Sequence, residues 1–156
     1  MLQRIQSIWL LSATIALASM LFFPILTKNI NGVYMPLLYS GSYIESWDVG
    51  EFVAIRTKSN YPLLITNIAL AILCFVNIFL FKKRSLQKRI ALLNIVLIIG
   101  FAFWCSIHAK ELTGGIEGAS FGIGAYLPAI AILFIILAIF GINKDERLIR
   151  SAERLR

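Results

Sequence analysis

The sequence predicts an all-α membrane protein, a four-transmembrane-helix bundle with both termini cytoplasmic and a small β-containing first extracytoplasmic loop. Three observations predict it. Four long stretches carry no charged side chain, in a chain that is 59% hydrophobic. Between the second and third of them, Lys82-Lys83-Arg84-Ser85-Leu86-Gln87-Lys88-Arg89 gathers five cations and no acid. A single sizeable polar segment, residues 27–60, separates the first two.

Taken in order, residues 1–7 carry Arg4 and no acid, and Ile8–Leu26 then runs 19 residues without charge. At 1.5 Å per helical residue that spans the ~30 Å of a bilayer's hydrocarbon. A basic head before an apolar run also describes a secretory signal, and Ala16-Leu17-Ala18 resembles a cleavage site. Because Met20-Leu21-Phe22-Phe23 continues the apolar run, the segment reads as an uncleaved signal anchor, its last turn loosened by Pro24.

Residues 27–60 hold three cations and three acids. Asn29-Ile30-Asn31-Gly32 and Tyr39-Ser40-Gly41-Ser42 are turn-like, and Val33–Leu38 between them reads as a short edge strand containing Pro36. Phe52–Ile55 reads as a second strand, so the segment is expected to fold as a β-hairpin lid. Tyr34, Tyr39, Tyr43 and Trp47 are also of the type that lies against lipid headgroups. Structural cap and ligand-binding surface both remain open for this loop.

The second span, Tyr61–Phe81, has 21 uncharged residues and opens on Tyr61-Pro62, an interfacial aromatic with a first-turn proline. The third, Ile90–Ile107, has 18. The fourth, residues 121–142, contains Pro128 and is followed by a charged tail, residues 143–156. Orientation follows from counting cations. With the basic cluster inside, residues 1–7, 82–89 and 143–156 hold eleven Lys and Arg, against four in 27–60 and 108–120. This distribution is what the positive-inside rule requires of four spans with both termini inside.

No Asp, Glu, Lys, Arg or His falls within the four apolar runs, which argues against a proton-coupled transporter. Cys74 and Cys105 lie at different depths of their segments, about 20 Å and about 5 Å from the outer side, so a disulfide between them is implausible. No phosphate loop, nucleophile motif or zinc pattern occurs, and His108 reads as a surface residue beside Lys110 and Glu111. No catalytic residue, metal site or cofactor site is expected.

Three constellations remain. Folding the second and third spans about the centre of the basic cluster sets Asn77 level with Asn94 and Asn67 level with Trp104. Such asparagines can hydrogen-bond between helices or line a polar site for a lipid or quinone headgroup. Gly115, Gly118, Gly122, Ala125 and Ala129 alternate steps of three and four, a close-packing ridge for the fourth span against Ser12, Ala16 and Ser19 of the first, or against another subunit. On a helix, Arg147, Arg150 and Arg154 of the tail fall on one side and Leu148, Ile149, Ala152 and Leu155 on another. With Lys82, Lys83, Arg84, Lys88 and Arg89 they form a cytoplasmic surface for anionic membrane lipids or a protein partner. Asp145, Glu146 and Glu153 dilute that charge and favour protein. A nucleic-acid or ribosome contact is weakly supported by so short and mixed a tail.

The two ends, Met1-Leu2-Gln3-Arg4-Ile5-Gln6-Ser7 and Lys144-Asp145-Glu146-Arg147-Leu148-Ile149-Arg150-Ser151-Ala152-Glu153-Arg154-Leu155-Arg156, resemble the terminal signatures of a bacterial four-pass inner-membrane family catalogued as a domain of unknown function. The resemblance spans the chain and implies the same topology; it implies no reaction or ligand. The expected function is a non-enzymatic accessory subunit or scaffold of a larger membrane complex. The alternative is a lipid- or quinone-handling protein with an intramembrane polar site between the second and third spans.

Overall fold

The computed structural model describes residues 3–30, 33–49, 52–111 and 119–154. Four helices, α1 (Gln3–Ser19), α2 (Tyr61–Phe79), α3 (Arg84–Glu111) and α4 (Leu127–Arg154), form a bundle beside five strands. These are β1 (Leu26–Ile30), β2 (Val33–Leu38), β3 (Ser42–Val49), β4 (Phe52–Ser59) and β5 (Ala119–Phe121). The helices stand in a ring: α1 packs on α2 and α4, and α3 packs on the same two, with the α1–α4 contact the most extensive.

Each helix buries one stripe at alternating steps of three and four. The stripe is Gln6, Leu10, Ala13 and Leu17 on α1, continued by Met20 just after it, and Leu63, Asn67, Leu70, Cys74 and Asn77 on α2. On α3 it is Gln87, Ala91, Asn94, Ile98, Phe101 and Cys105; on α4 it is Ala131, Ile135, Ala138, Ile142 and Asp145. That spacing is the seam of a left-handed bundle. The outward faces are apolar as well: Ile65, Ile72, Phe79, Val96, Ile99, Phe103, Leu133 and Phe140 are all exposed. A belt of that kind is far larger than soluble monomers display. α2, α3 and α4 are each long and apolar enough to cross a membrane, and α1 is a shorter apolar helix.

The helix limits differ from the uncharged runs. α1 ends at Ser19, and Leu21, Phe22 and Phe23 form a turn closed by Leu21 N–H to Ala18 O and Phe23 N–H to Ser19 O, both 3.1 Å. Pro24 cannot continue a helix, so Ile25 and Leu26 pass into the sheet. In contrast, α3 begins inside the basic cluster, and α4 runs without interruption into the charged tail as far as Arg154. At 28 residues each, α3 and α4 are about 42 Å long, more than the hydrocarbon thickness.

The sheet is antiparallel in the order β4-β3-β2-β1-β5, so the expected hairpin is part of something larger. Thr27 pairs with Pro36 while Leu26 pairs with Leu38, leaving Leu37 as a bulge. The bulge turns both Leu37 and Leu38 into the core. Among the described residues, β3 meets β2 at the single pair Leu38–Tyr43, so Pro36 interrupts no ladder on that side. β5 comes from the α3–α4 connection and pairs with β1 at Leu26–Phe121, Thr27–Ser120 and Lys28–Ala119. Gly122 N–H to Ile25 O and Gly124 N–H to Pro24 O, each 2.9 Å, extend this junction. A β-carbon on Gly122 would overlap the Pro24 carbonyl oxygen, and one on Gly124 would sit 2.6 Å from that of Phe23. Close backbone approach explains these two glycines.

The described members of the expected small-residue ridge therefore do not share one helix. Gly122 is extended, Ala125 lies in a short 3-10 turn before α4, and Ala129 is exposed. Gly115 and Gly118 lie outside the described residues. α4 packs on α1 through Ala131, Ile135, Ala138 and Ile142 instead, because helix geometry starts only at Leu127.

Candidate functional site

The chemistry-bearing side chains gather at the end of the bundle opposite the sheet. A short connection joins α2 to α3 there: Leu80–Lys82 forms one 3-10 turn, and Lys83 N–H donates to Leu80 O at 2.9 Å. The turn centres between Phe81 and Lys82, not at Ser85, so most of the basic cluster belongs to α3. Gln87, 1% exposed, donates its Nε2 to the Asn77 backbone oxygen at 3.2 Å. That carbonyl also accepts the Leu80 N–H, so Gln87 adds a second donor to the last turn of α2. Asn77 is thus level with Gln87, and Asn94 lies two turns, about 10 Å, farther along α3.

That register corrects the expected asparagine pairs. No hydrogen bond joins Asn77 to Asn94; both side chains are buried, and their amide nitrogens and oxygens have no partner. Asn67 does not meet Trp104 either. Its Nδ2 donates to Ser40 Oγ at 3.2 Å, and Ser40 donates to the Met20 carbonyl at 3.1 Å, tying α2 and α1 to the loop before β3. Trp104 lies one turn from His108 on α3, their ring centroids 5.8 Å apart. Cys74 and Cys105 are both free, and the Cys74 thiol donates to the Leu10 carbonyl at 3.6 Å.

Two contacts close the α4 side. Gln6 Nε2 donates to Asp145 Oδ2 in a short hydrogen bond between buried side chains. Gly141 gives Gln6 room, since a β-carbon there would stand 2.9 Å from Gln6 Cγ. On the rim, Lys88 Nζ reaches Glu146 Oε2 at 2.5 Å and Asn143 Oδ1 at 3.2 Å, linking α3 to α4. Lys88, Asn143, Glu146 and Arg147 line a groove of about 340 Å³. The tail's acids at Asp145 and Glu146 are used inside the protein, and the tail continues α4 instead of forming a separate surface helix.

The expected basic surface is distributed unevenly. Lys83, Arg89 and Arg147 are exposed, and Arg84 is half-buried with its Nη1 enclosed and unpartnered. Lys82 ends the 3-10 turn, and Arg150 and Arg154 lie on the last turns of α4. Among the described residues no cluster of His, Cys, Asp or Glu could hold a metal ion. Gln6, Gln87, Asn143 and Asp145 were absent from the expected site. Gln6, Gln87 and Asp145 could have been found by extending each helix's three-four stripe past the edge of its uncharged run.

The sequence pattern of one family matches residues 2–155, essentially the whole chain. The chain belongs to DUF4293, a domain of unknown function. No curated protein matches it. DUF4293 membership accords with the end-to-end resemblance and brings no reaction, ligand or residue role with it, so any functional reading rests on the geometry of this basic end.

Proposed function

We propose that this DUF4293 protein crosses a bacterial inner membrane four times with both termini cytoplasmic, and acts as a non-enzymatic accessory subunit or scaffold of a larger membrane complex. It engages that complex through its basic face. The shorter α1 completes a crossing with the exposed Phe22 and Phe23 that follow it. The sheet then lies outside, and Arg84, Lys88 and the end of α4 lie inside.

The observation that carries the reading is where the cations sit. Arg84, Lys88 and Arg89 occupy the first two turns of α3, and the first turn holds no acid. Arg84 stands in the first turn, where the positive end of the helix dipole disfavours a cation by about 0.3–1 kcal/mol. Lys88 is offset by Glu146. With the nearby acids drawn into contacts within the chain, this face complements an acidic partner. Because α4 continues beyond the length needed to cross the hydrocarbon, Arg147, Arg150 and Arg154 stand on a helix continuous with the fourth span.

Purification of tagged protein in a mild detergent tests the idea. Wild-type protein should bring down a stoichiometric membrane partner. Replacing Arg147, Arg150 and Arg154 with Gln should lower recovery of that partner at least several-fold while leaving membrane insertion intact. Recovery of the wild-type protein alone would refute the reading.

A further inference from the structure

Among the described residues, every buried side-chain polar atom without a partner belongs to α2 or α3. They are Asn67 Oδ1 and both amide atoms of Asn77 on α2, with Arg84 Nη1, Gln87 Oε1 and both amide atoms of Asn94 on α3. Chance scatter would spread them over four helices. The α1–α4 side, by contrast, is closed by the Gln6–Asp145 contact.

Their order along α3 is informative. Arg84, Gln87 and Asn94 share the core face, at steps of three and seven residues, and Asn77 faces Gln87 from α2. The series starts at the half-buried Arg84 near the end of the bundle and reaches about 15 Å along the helix axis to Asn94. Beyond Asn94 the same stripe turns apolar, with Ile98 and Phe101 buried. With Ala91 the one apolar member between Gln87 and Asn94, polar side chains therefore line one end of the α2–α3 core and stop at an apolar plug.

We infer that the basic end of the α2–α3 core is a hydration site: a short file of ordered water that enters past Arg84, bridges Asn77 and Gln87, and ends at Asn94. The free groups include donors (the Asn amides and Arg84) and acceptors (the Asn and Gln oxygens). A ligand satisfying all of them must donate and accept in several directions, as water does. Asn77, Gln87 and Asn94 are at most 1% exposed, which favours a molecule of water's size over a lipid headgroup. Buried water typically makes two to four such bonds to otherwise unsatisfied groups. This inference is independent of any partner protein.

Water-edited solid-state NMR on the full chain in phosphatidylcholine bilayers tests it. Magnetisation from water should reach the side-chain amides of Asn77 and Asn94 several-fold faster than the backbone amides of Ile98 and Phe101. Equal, slow transfer to Asn94 would overturn the inference. Phosphorus-dependent dephasing of the Asn94 amide would assign the site to a lipid headgroup and overturn it as well. Thermal unfolding supplies a second readout. Asn94→Leu should lower the unfolding temperature, and Asn94→Ser, which keeps a hydroxyl for water, should recover most of the loss. A higher unfolding temperature for Asn94→Leu would mean a dry, unsatisfied amide had been removed, contrary to the inference. If Asn94→Leu does not fold, transfer to wild-type Asn94 decides alone.

Discussion

Gln6, in the first turn of α1, donates its side-chain amide to Asp145 on α4, 139 residues later in the chain. Both side chains are buried, at 5% and 7% exposure, so the carboxylate depends on this donor for what water would otherwise supply. Removing one partner of such a contact is far costlier than removing both, because the survivor keeps its desolvation cost.

Gln6→Leu is therefore expected to destabilise the protein by about 3 kcal/mol, and the double variant Gln6→Leu/Asp145→Leu by clearly less. Thermal unfolding of detergent-solubilised protein measures both. A double variant no more stable than Gln6→Leu would show that Asp145 does not rely on Gln6.

Lys88 and Glu146 are about a quarter and a third exposed, so their ion pair is solvent-screened and worth on the order of 1 kcal/mol or less. Lys88→Glu should lower stability and the exchanged pair Lys88→Glu/Glu146→Lys should restore part of it. The difference should shrink at high salt. A salt titration of unfolding midpoints checks the sign.

Ser40→Ala breaks two bonds at once, the one Ser40 receives from Asn67 and the one it gives to Met20. Asn67 would then lose its one hydrogen-bonded side-chain atom. The expected loss is about 1–3 kcal/mol. Protection of the Asn67 side-chain amide from solvent exchange, followed by NMR, should fall in parallel.

Gly122→Ala sets a methyl against the Pro24 carbonyl, a backbone atom that cannot step aside. The β1–β5 junction should part, with a cost of about 1–3 kcal/mol for the forced shift. Amide exchange at Gly122 and Gly124 should quicken while that at Leu64, whose N–H bonds to Asn60 O at the start of α2, stays as in the wild type.

Much of this arrangement was legible in the chain. Long uncharged runs located all four helices, and the Val33–Leu38 and Phe52–Ile55 segments located two strands, because they are short apolar runs with β-branched and aromatic residues and turn-like residues flank the first of them. The helix limits differ for two reasons: charge does not end α3 or α4, and the Pro24 and Gly122 junctions stop α1 at Ser19 and delay α4 to Leu127. Lys88 and Asp145 are charged and helical, one paired to a neighbouring helix and the other buried against Gln6. Centring the α2–α3 turn on the charges also moved Asn94 opposite Asn77, a displacement of two turns. β5 is three residues long and takes its identity from β1, so no local pattern announces it.

The two ends of the bundle are fastened differently. At the sheet end, β1 and β5 join the α1–α2 and α3–α4 halves through main-chain hydrogen bonds, which side-chain exchange cannot remove. At the basic end, the α1–α4 and α3–α4 contacts described above run through side chains: Gln6 to Asp145, and Lys88 to Glu146 and Asn143. A structure fastened this way behaves as a clothes-peg, with a permanent spring at one end and jaws at the other. Whatever loosens α4 from its neighbours will part them first at Lys88 and Gln6, with the sheet as the fulcrum.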